Sequence, residues 1–280
     1  MVEEAAREIG GRLPLIVGVG ALRTDTVVAL ARHAKASGAD ALLVAPVSYT
    51  PLTDDEVFAH YEALAQASDL PICIYNNPTT THFTFTTDLL ARLSAIPQIR
   101  AVKMPLPGSG DLEAEMADLR ARLPLGFSIG YSGDWGCAPS MLAGADAFYS
   151  VAAGTWPVPV LRLVRAAQSG DAGETARIDA AFQPLWSLFR QHGGIRVVHR
   201  AANLLGLTDA QPRVRSCRCR PAMTRFCVMS SPPWMRSEFS IPLHTDCLSP
   251  LWRLEPCKIA REPFHEQDPH RNRQLRPAGG

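Results

Sequence analysis

Apolar runs and helical patterns alternate along the first 212 residues of the chain. Short apolar runs lie at 13–20, 41–46, 71–76, 99–105, 127–133 and 147–153. Segments with apolar residues at helical spacing follow them at 24–38, 54–67, 85–96, 110–124, 135–144 and 158–170. The runs start about 28 residues apart until the last, shorter unit. The pattern therefore predicts six strand-helix units.

Continuous apolar strands that alternate with amphipathic helices indicate a parallel sheet covered by helices, because parallel strands need crossover connections. A doubly wound sheet and a (β/α)8 barrel both fit, and the periodicity does not separate them. In either fold the chemistry lies at the carboxyl ends of the strands. Helical patterns at 171–192 and 195–207 would close this domain, and Thr24 is predicted to cap the helix that it begins.

Polar side chains stand where these strands end, and one of them is an unusual lysine. Lys103 is one of three lysines, against 25 arginines, and lies in the run IRAVKMP, which is apolar apart from Arg100. Apolar surroundings disfavour an ammonium ion, and a neutral amine can attack a carbonyl to form an imine. Alternatively, Lys103 is a strand-end lysine that extends its amine to water.

Tyr75 lies 28 residues before Lys103, which is one whole repeat. The two side chains are therefore expected at the same height on neighbouring parallel strands, facing the same way. A phenol beside an imine-forming amine can move protons between carbinolamine, imine and enamine. Without the pairing, Tyr75 would simply be a tyrosine that closes a strand over the core.

The residues Tyr75-Asn76-Asn77-Pro78, followed by Ile99 to Lys103, resemble the signature of the dihydrodipicolinate synthase and N-acetylneuraminate lyase superfamily. The likeness extends over about residues 1–210. It implies a (β/α)8 TIM barrel and a class I aldolase in which Lys103 forms a Schiff base with pyruvate or a related 2-oxo acid and Tyr75 relays protons. The lysine would be the electron sink, so no cofactor is expected. Family members are commonly homotetramers, which implies a homo-oligomer.

The resemblance also directs attention to other strand-end residues. Substrate-binding positions are expected among Ser48, Tyr49, Asn77, Thr80, Ser132, Asp134 and Tyr149. Synthases of the lysine pathway usually carry an arginine where this chain has Thr80, so no guanidinium is available there for the carboxylate of a second substrate. The aldehyde partner is therefore unassigned.

Residues 1–12 resemble the end of the family's second helix, which implies that the first strand, first helix and second strand have no counterpart here. The family's Gly-Thr-Thr-Gly-Glu loop, which binds the carboxylate of the 2-oxo acid, belongs to that part. We therefore expect an incomplete barrel of about six units over residues 1–212. A non-catalytic remnant, poorly folded or acting only by association with other chains, is the alternative.

Composition changes abruptly after Pro212. Residues 1–212 carry a formal net charge of −5, whereas residues 213–280 carry +6 and five of the seven cysteines. An Arg, Cys and Pro-rich tail of this kind is typical of disorder or of a shifted reading frame. The rival interpretations are a basic arm that contacts nucleic acid and a zinc site. The zinc ligands would come from Cys217, Cys219, His244, Cys247, Cys257, His265 and His270, whose spacing is irregular.

The whole-chain composition narrows the class of protein. A net charge of +1 argues against a dedicated nucleic-acid binder. Neither a membrane span nor a secretory signal is recognisable, so a cytoplasmic protein without a membrane partner is expected, acting on a small molecule. Cys73 and Cys137 are expected to be free buried thiols, and no metal site is expected.

Overall fold

A computed structural model describes residues 1–210, which form a parallel sheet covered by helices. The strands are β1 (Ile16–Val19), β2 (Ala41–Val44), β3 (Ile72–Tyr75), β4 (Ile99–Met104), β5 (Ser128–Ser132) and β6 (Ala147–Tyr149). The helices are α1 (Val2–Ile9), α2 (Thr24–Ala36), α3 (Asp54–Ala67), α4 (Pro78–Thr81), α5 (Thr87–Ser94), α6 (Leu112–Arg122), α7 (Cys137–Leu142), α8 (Pro157–Gln168), α9 (Ala172–His192) and α10 (Gly194–Leu204). The tail from Arg213, with its predicted disorder, zinc and nucleic-acid alternatives, lies outside these residues.

Each strand pairs in parallel with the next one along the chain, in the order β1-β2-β3-β4-β5-β6. The sheet curls into a half-barrel, and β1 and β6 are its two edges within the described residues. This confirms the predicted incomplete barrel and excludes a doubly wound sheet, since no strand order reverses among the six strands described.

The two faces of the sheet differ in composition. Val44, Ile74, Val102 and Ile129 form one hydrogen-bonded row across β2 to β5, and all four are fully buried on the helix-covered side. The phenol of Tyr131 on that side donates a 2.6 Å hydrogen bond to Glu115 of α6. The opposite, inner face carries the alternate residues of each strand, because successive side chains point to opposite sides.

Helix ends follow local hydrogen bonding more closely than the apolar pattern. Thr53 and Glu56 form a reciprocal capping box at α3. The predicted cap at Thr24 is wrong: Arg23 has the extended backbone of the cap position, and Thr24 is already helical. The Thr24 hydroxyl instead lies 2.9 Å from His60 Nδ1 on α3. The side chain therefore joins two helices rather than ending one.

The last predicted strand is shorter than its apolar run. β6 ends at Tyr149, and a 3-10 turn at Ala152–Gly154 follows within the run expected to be extended to 153. The backbone turns because the amides of Val151 and Ala152 donate to the carboxylate of Asp134 at 3.1 and 3.0 Å. A side chain from the turn that follows β5 thus ends the neighbouring strand β6.

Helices α9 and α10 lie where the helical patterns were predicted, near 171–192 and 195–207. The rings of Phe182 and Trp186 on α9 are stacked with centroids 4.6 Å apart, and both are buried. The indole nitrogen of Trp186 donates to Asp179 at 3.0 Å, so the buried polar atom has a partner. Among the helices of residues 1–210, none is long and apolar enough to cross a membrane.

Candidate active site

Tyr75 and Lys103 lie side by side on the inner face at the carboxyl ends of β3 and β4. They are register partners in the parallel pair, as the one-repeat spacing predicts. The Lys103 Nζ is 4.6 Å from the centroid of the Tyr75 ring. The backbone N–H of Asn76 donates to the backbone carbonyl of Lys103 at 3.0 Å. This bond extends the pairing of β3 with β4 one residue past the end of β3.

The Lys103 amine is half-buried and contacts aromatic rings. A second ring, that of Tyr149 on β6, has its centroid 5.5 Å from Nζ. On the next strand, Lys103 is paired with Gly130, which has no side chain to fill the space. Within residues 1–210 no carboxylate forms an ion pair with this lysine. The amine therefore faces π systems and the open inner face rather than a counter-ion.

The phenol of Tyr75 is held by the residues that follow it. Asn77 Nδ2 donates to the Tyr75 Oη at 2.8 Å. The other end of the same amide, Oδ1, accepts from the Thr79 hydroxyl at 2.6 Å, which fixes its orientation. Because the phenol oxygen of Tyr75 accepts this hydrogen bond, the phenol proton remains available for donation to another group. The short helix α4, which begins at Pro78, was not predicted, and it is what brings Thr79 back onto Asn77.

The phenol of Tyr149 contacts a thiol rather than standing free. Its Oη is 3.0 Å from Cys73 Sγ on β3. Burial raises the pKa of the Cys73 thiol to about 11 and also raises the pKa of Tyr149. Both groups are therefore neutral near pH 7, as expected for a free buried thiol.

Asp134 and Ser132 are engaged in holding strand ends. Asp134 is only 2% exposed and accepts hydrogen bonds from the Ser150 hydroxyl at 2.5 Å and from the two amides of the turn after β6. Ser132 donates from Oγ to the carbonyl of Met104 at 3.0 Å. Both side chains thus brace the rim of the site, and Ser132 ties β5 to the end of the lysine strand.

The remaining predicted substrate-binding residues lie on loops. Tyr49 is 90% exposed, because the chain turns outward after β2. Ser48 accepts from the amide of Thr50 at 3.1 Å, and Thr80 donates from Oγ1 to the Asn77 carbonyl at 3.2 Å. Among the described residues no hydrogen bond joins any of these three to Lys103. Their part in substrate binding stays a prediction.

Sequence reasoning missed Cys73 and Gly130. Two signals could have found them: Cys73 lies two residues before Tyr75 and so shares its face, and a glycine inside a strand indicates a close approach by another group. A Cβ on Gly130 would lie 2.7 Å from Cε2 of Tyr149. No cluster of three metal-ligating side chains occurs in residues 1–210.

Comparison with known proteins gives one consistent result. The model of the dihydrodipicolinate synthetase family matches residues 1–221. The chain is 35% identical over 206 residues to 4-hydroxy-tetrahydrodipicolinate synthase of Thiobacillus denitrificans, covering 73% of this chain and 68% of that protein. A similar enzyme of Corynebacterium aurimucosum is 35% identical over 209 residues, covering 74% and 67%.

Solved structures agree with the curated relatives. A dihydrodipicolinate synthase from Agrobacterium tumefaciens is 55% identical, with a TM-score of 0.80 over 82% of this chain and 77% of that one. The dihydrodipicolinate synthase from Aquifex aeolicus is 29% identical, with a TM-score of 0.75 over 87% of this chain and 80% of that one.

Proposed function

Because this chain belongs to the dihydrodipicolinate synthetase family, a family of lyase-type aldolases, we propose that it forms a Schiff base between Lys103 and pyruvate or a related 2-oxo acid. The observation that carries the proposal is the register pairing of Tyr75 and Lys103, with Nζ 4.6 Å from the phenol ring. An amine and a proton-transfer group stand next to each other at the strand ends, where chemistry in this architecture takes place.

The proposed reaction begins at the nitrogen of Lys103. The neutral amine attacks the C2 carbonyl of the 2-oxo acid, and loss of water from the carbinolamine forms a C=N bond. The imine withdraws electrons from C3, so a C3 proton leaves and the enamine carbon can attack an aldehyde carbonyl. Hydrolysis then breaks the C=N bond, releases the product and regenerates the amine. The lysine is the electron sink, so the scheme uses no further cofactor.

Tyr75 is the proton carrier in this scheme. Its phenol can give a proton to the departing hydroxyl of the carbinolamine and receive one when the enamine forms. The Asn77 amide that donates to Oη supports this role, since it stabilises negative charge on that oxygen and fixes the ring. The Thr79 hydroxyl, bonded to the same amide, keeps the donor pointed at the phenol.

The proposal names the 2-oxo acid and leaves the aldehyde open. Thr80 stands where an arginine would hold the carboxylate of a second substrate in lysine-pathway synthases, and a threonine hydroxyl offers no bidentate contact. Its Oγ1 already donates to the Asn77 carbonyl. A different aldehyde, or a different site for its carboxylate, is consistent with this geometry.

Borohydride trapping with pyruvate tests the proposal on the full chain. Reduction converts the imine into a stable secondary amine, so Lys103 gains the mass of pyruvate less water plus two hydrogens. The modified lysine also resists trypsin, which yields a peptide spanning 101–120 in place of one ending at residue 103. The other amines that compete for the label are those of Lys35, Lys258 and the amino terminus at Met1.

Two variants sharpen the test. Lys103→Met should abolish the adduct, whereas Lys35→Arg should retain it, because Lys35 is an exposed residue paired with Asp69. A thermal melt of the same sample establishes that the protein is folded during trapping. Folded wild-type protein with an unmodified Lys103 would overturn the assignment and favour the non-catalytic alternative.

A further inference from the structure

The contact between Cys73 and Tyr149 spans the inner face of the sheet. The two residues are 76 positions apart in the sequence, on β3 and β6, and the strands β4 and β5 lie between these strands. Sγ and Oη are nevertheless 3.0 Å apart. The tyrosine side chain therefore reaches across the curled sheet, past the strand that carries Lys103.

The surroundings of the thiol favour donation from the Tyr149 hydroxyl to the sulfur. Cys73 Sγ is 3.7 Å from the carbonyl oxygen of Ile74, which can accept the single thiol proton. The sulfur is then free to accept from the Tyr149 hydroxyl. A neutral buried thiol suits this part, since it is an acceptor that carries no charge into the inner face.

Gly130 makes room for the tyrosine ring. A Cβ at this position would meet Tyr149 Cε2 at 2.7 Å and the carbonyl oxygen of Ala147 at 2.8 Å. Gly130 is also the register partner of Lys103 on β5. The ring thus occupies the space that a side chain beside the lysine would otherwise take.

We propose that Tyr149, held in place by Cys73, is a positioning residue that keeps the Lys103 amine beside Tyr75. The Nζ has one ring centroid at 4.6 Å and the other at 5.5 Å, so a fixed Tyr149 limits where the flexible amine can go. The inference rests on the proposed Schiff-base function of Lys103. It also revises the expected role of Tyr149, whose hydroxyl bonds to the thiol instead of standing free for substrate.

Four variants separate positioning from mere packing. Tyr149→Phe keeps the ring and removes the hydroxyl, and Cys73→Ala removes the acceptor. Cys73→Ser restores a group that can accept from the phenol. Cys137→Ala is the matched control, since it deletes the other buried thiol of the described chain, which lies on helix α7.

Competitive acetylation measures how accessible the Lys103 amine is, and it does not require pyruvate. Each protein is treated briefly with isotopically labelled acetic anhydride and fully acetylated after unfolding with unlabelled reagent, and the labelled fraction at Lys103 is divided by that at exposed Lys35. In Tyr149→Phe and Cys73→Ala this ratio should rise about threefold, the order expected for loss of one neutral hydrogen bond. Trapping of pyruvate at Lys103 should slow by a similar factor, because the freed amine spends less time beside Tyr75.

The combined result identifies positioning. The inference is supported if Tyr149→Phe and Cys73→Ala raise the acetylation of Lys103 and slow its imine formation. Cys73→Ser should return both values toward those of wild type, and Cys137→Ala should leave both unchanged. An unchanged acetylation ratio in Tyr149→Phe and Cys73→Ala overturns it, and so does a Cys73→Ser variant that behaves like Cys73→Ala. If wild-type Lys103 takes up no pyruvate, the Schiff-base proposal fails, while the acetylation ratio still reports whether Tyr149 holds the amine.

Discussion

The side-chain amide of Asn77 donates a 2.8 Å hydrogen bond to the phenol oxygen of Tyr75. The bond places a donor on the oxygen from which the proposed mechanism takes a proton. A phenol oxygen that loses its proton becomes negatively charged, and a fixed N–H donor stabilises that charge. Asn77 therefore acts on the reaction through Tyr75.

Asn77→Ala should slow proton transfer more than it weakens substrate binding. We expect the exchange of pyruvate methyl protons for solvent deuterium, followed by NMR, to fall about tenfold, the order expected for a hydrogen bond to a group that becomes charged. The pyruvate concentration at half-maximal exchange should change by about twofold or less. Thr84→Ala, at an exposed position of the following loop, is the control. Equal exchange rates in wild type and Asn77→Ala would contradict the role.

Gly130→Ala should destabilise the fold. The added methyl group would meet a backbone oxygen at 2.8 Å as well as the Tyr149 ring, so the sheet or the ring must move. We expect a loss of about 1–3 kcal/mol in the free energy of unfolding, as for overpacked interiors. Gly18→Ala is a matched control, because it is a strand glycine whose added methyl group would have nothing within 4 Å. Urea denaturation compares the two variants, and similar losses would refute the steric argument.

Asp134→Asn should loosen the rim of the site. The carboxylate accepts three hydrogen bonds, from Ser150 and from the amides of Val151 and Ala152. An amide group would present a donor to some of these donors, so we expect a loss of about 1–3 kcal/mol. Asp88→Asn removes an exposed carboxylate that pairs with Arg122 and should cost far less. Thermal unfolding of both variants measures the difference, and an unaffected Asp134→Asn would show that the brace contributes nothing.

Stability should decrease in mild acid because of His60. Burial lowers the pKa of this imidazole below the ordinary value of 6.5, and within residues 1–210 its Nε2 has no hydrogen-bond partner. As the pH falls through that value, the unfolded chain takes up a proton that the folded protein does not, so the free energy of unfolding drops. His60→Gln should remove this part of the pH dependence, whereas His33→Gln, at an exposed position on α2, should retain it. Denaturant titrations at pH values above and below 6.5 measure this change in the free energy of unfolding.

The paired position of Tyr75 and Lys103 was predictable because a fixed repeat in a parallel sheet converts sequence spacing into height. The buried alternate residues Val102 and Ile74 follow from the same two-residue period. Periodicity has no information about the curl of the sheet, however. The meeting of Cys73 with Tyr149 depends on that curl, so it could not be read from spacing alone.

The contacts of loop residues could not be predicted from the sequence pattern either. Asp134 was expected to bind substrate because its carboxylate follows a strand, and the sequence does not reveal that amides 17 and 18 residues later would use its oxygens. Tyr49 also follows a strand, yet it is 90% exposed. The direction of a loop is set by its tertiary contacts, which no local pattern encodes.

Because side chains alternate along the strands, the residues that pack against the helices lie on one face of the sheet and those that line the candidate site lie on the other. Exchanging Ser128 or Ser132 would leave the packed row of Val44, Ile74, Val102 and Ile129 untouched. Inner-face side chains such as these can therefore be exchanged without altering the packing of the sheet against its helices. The same separation makes the inner face the place to begin when redesigning the chemistry of this protein.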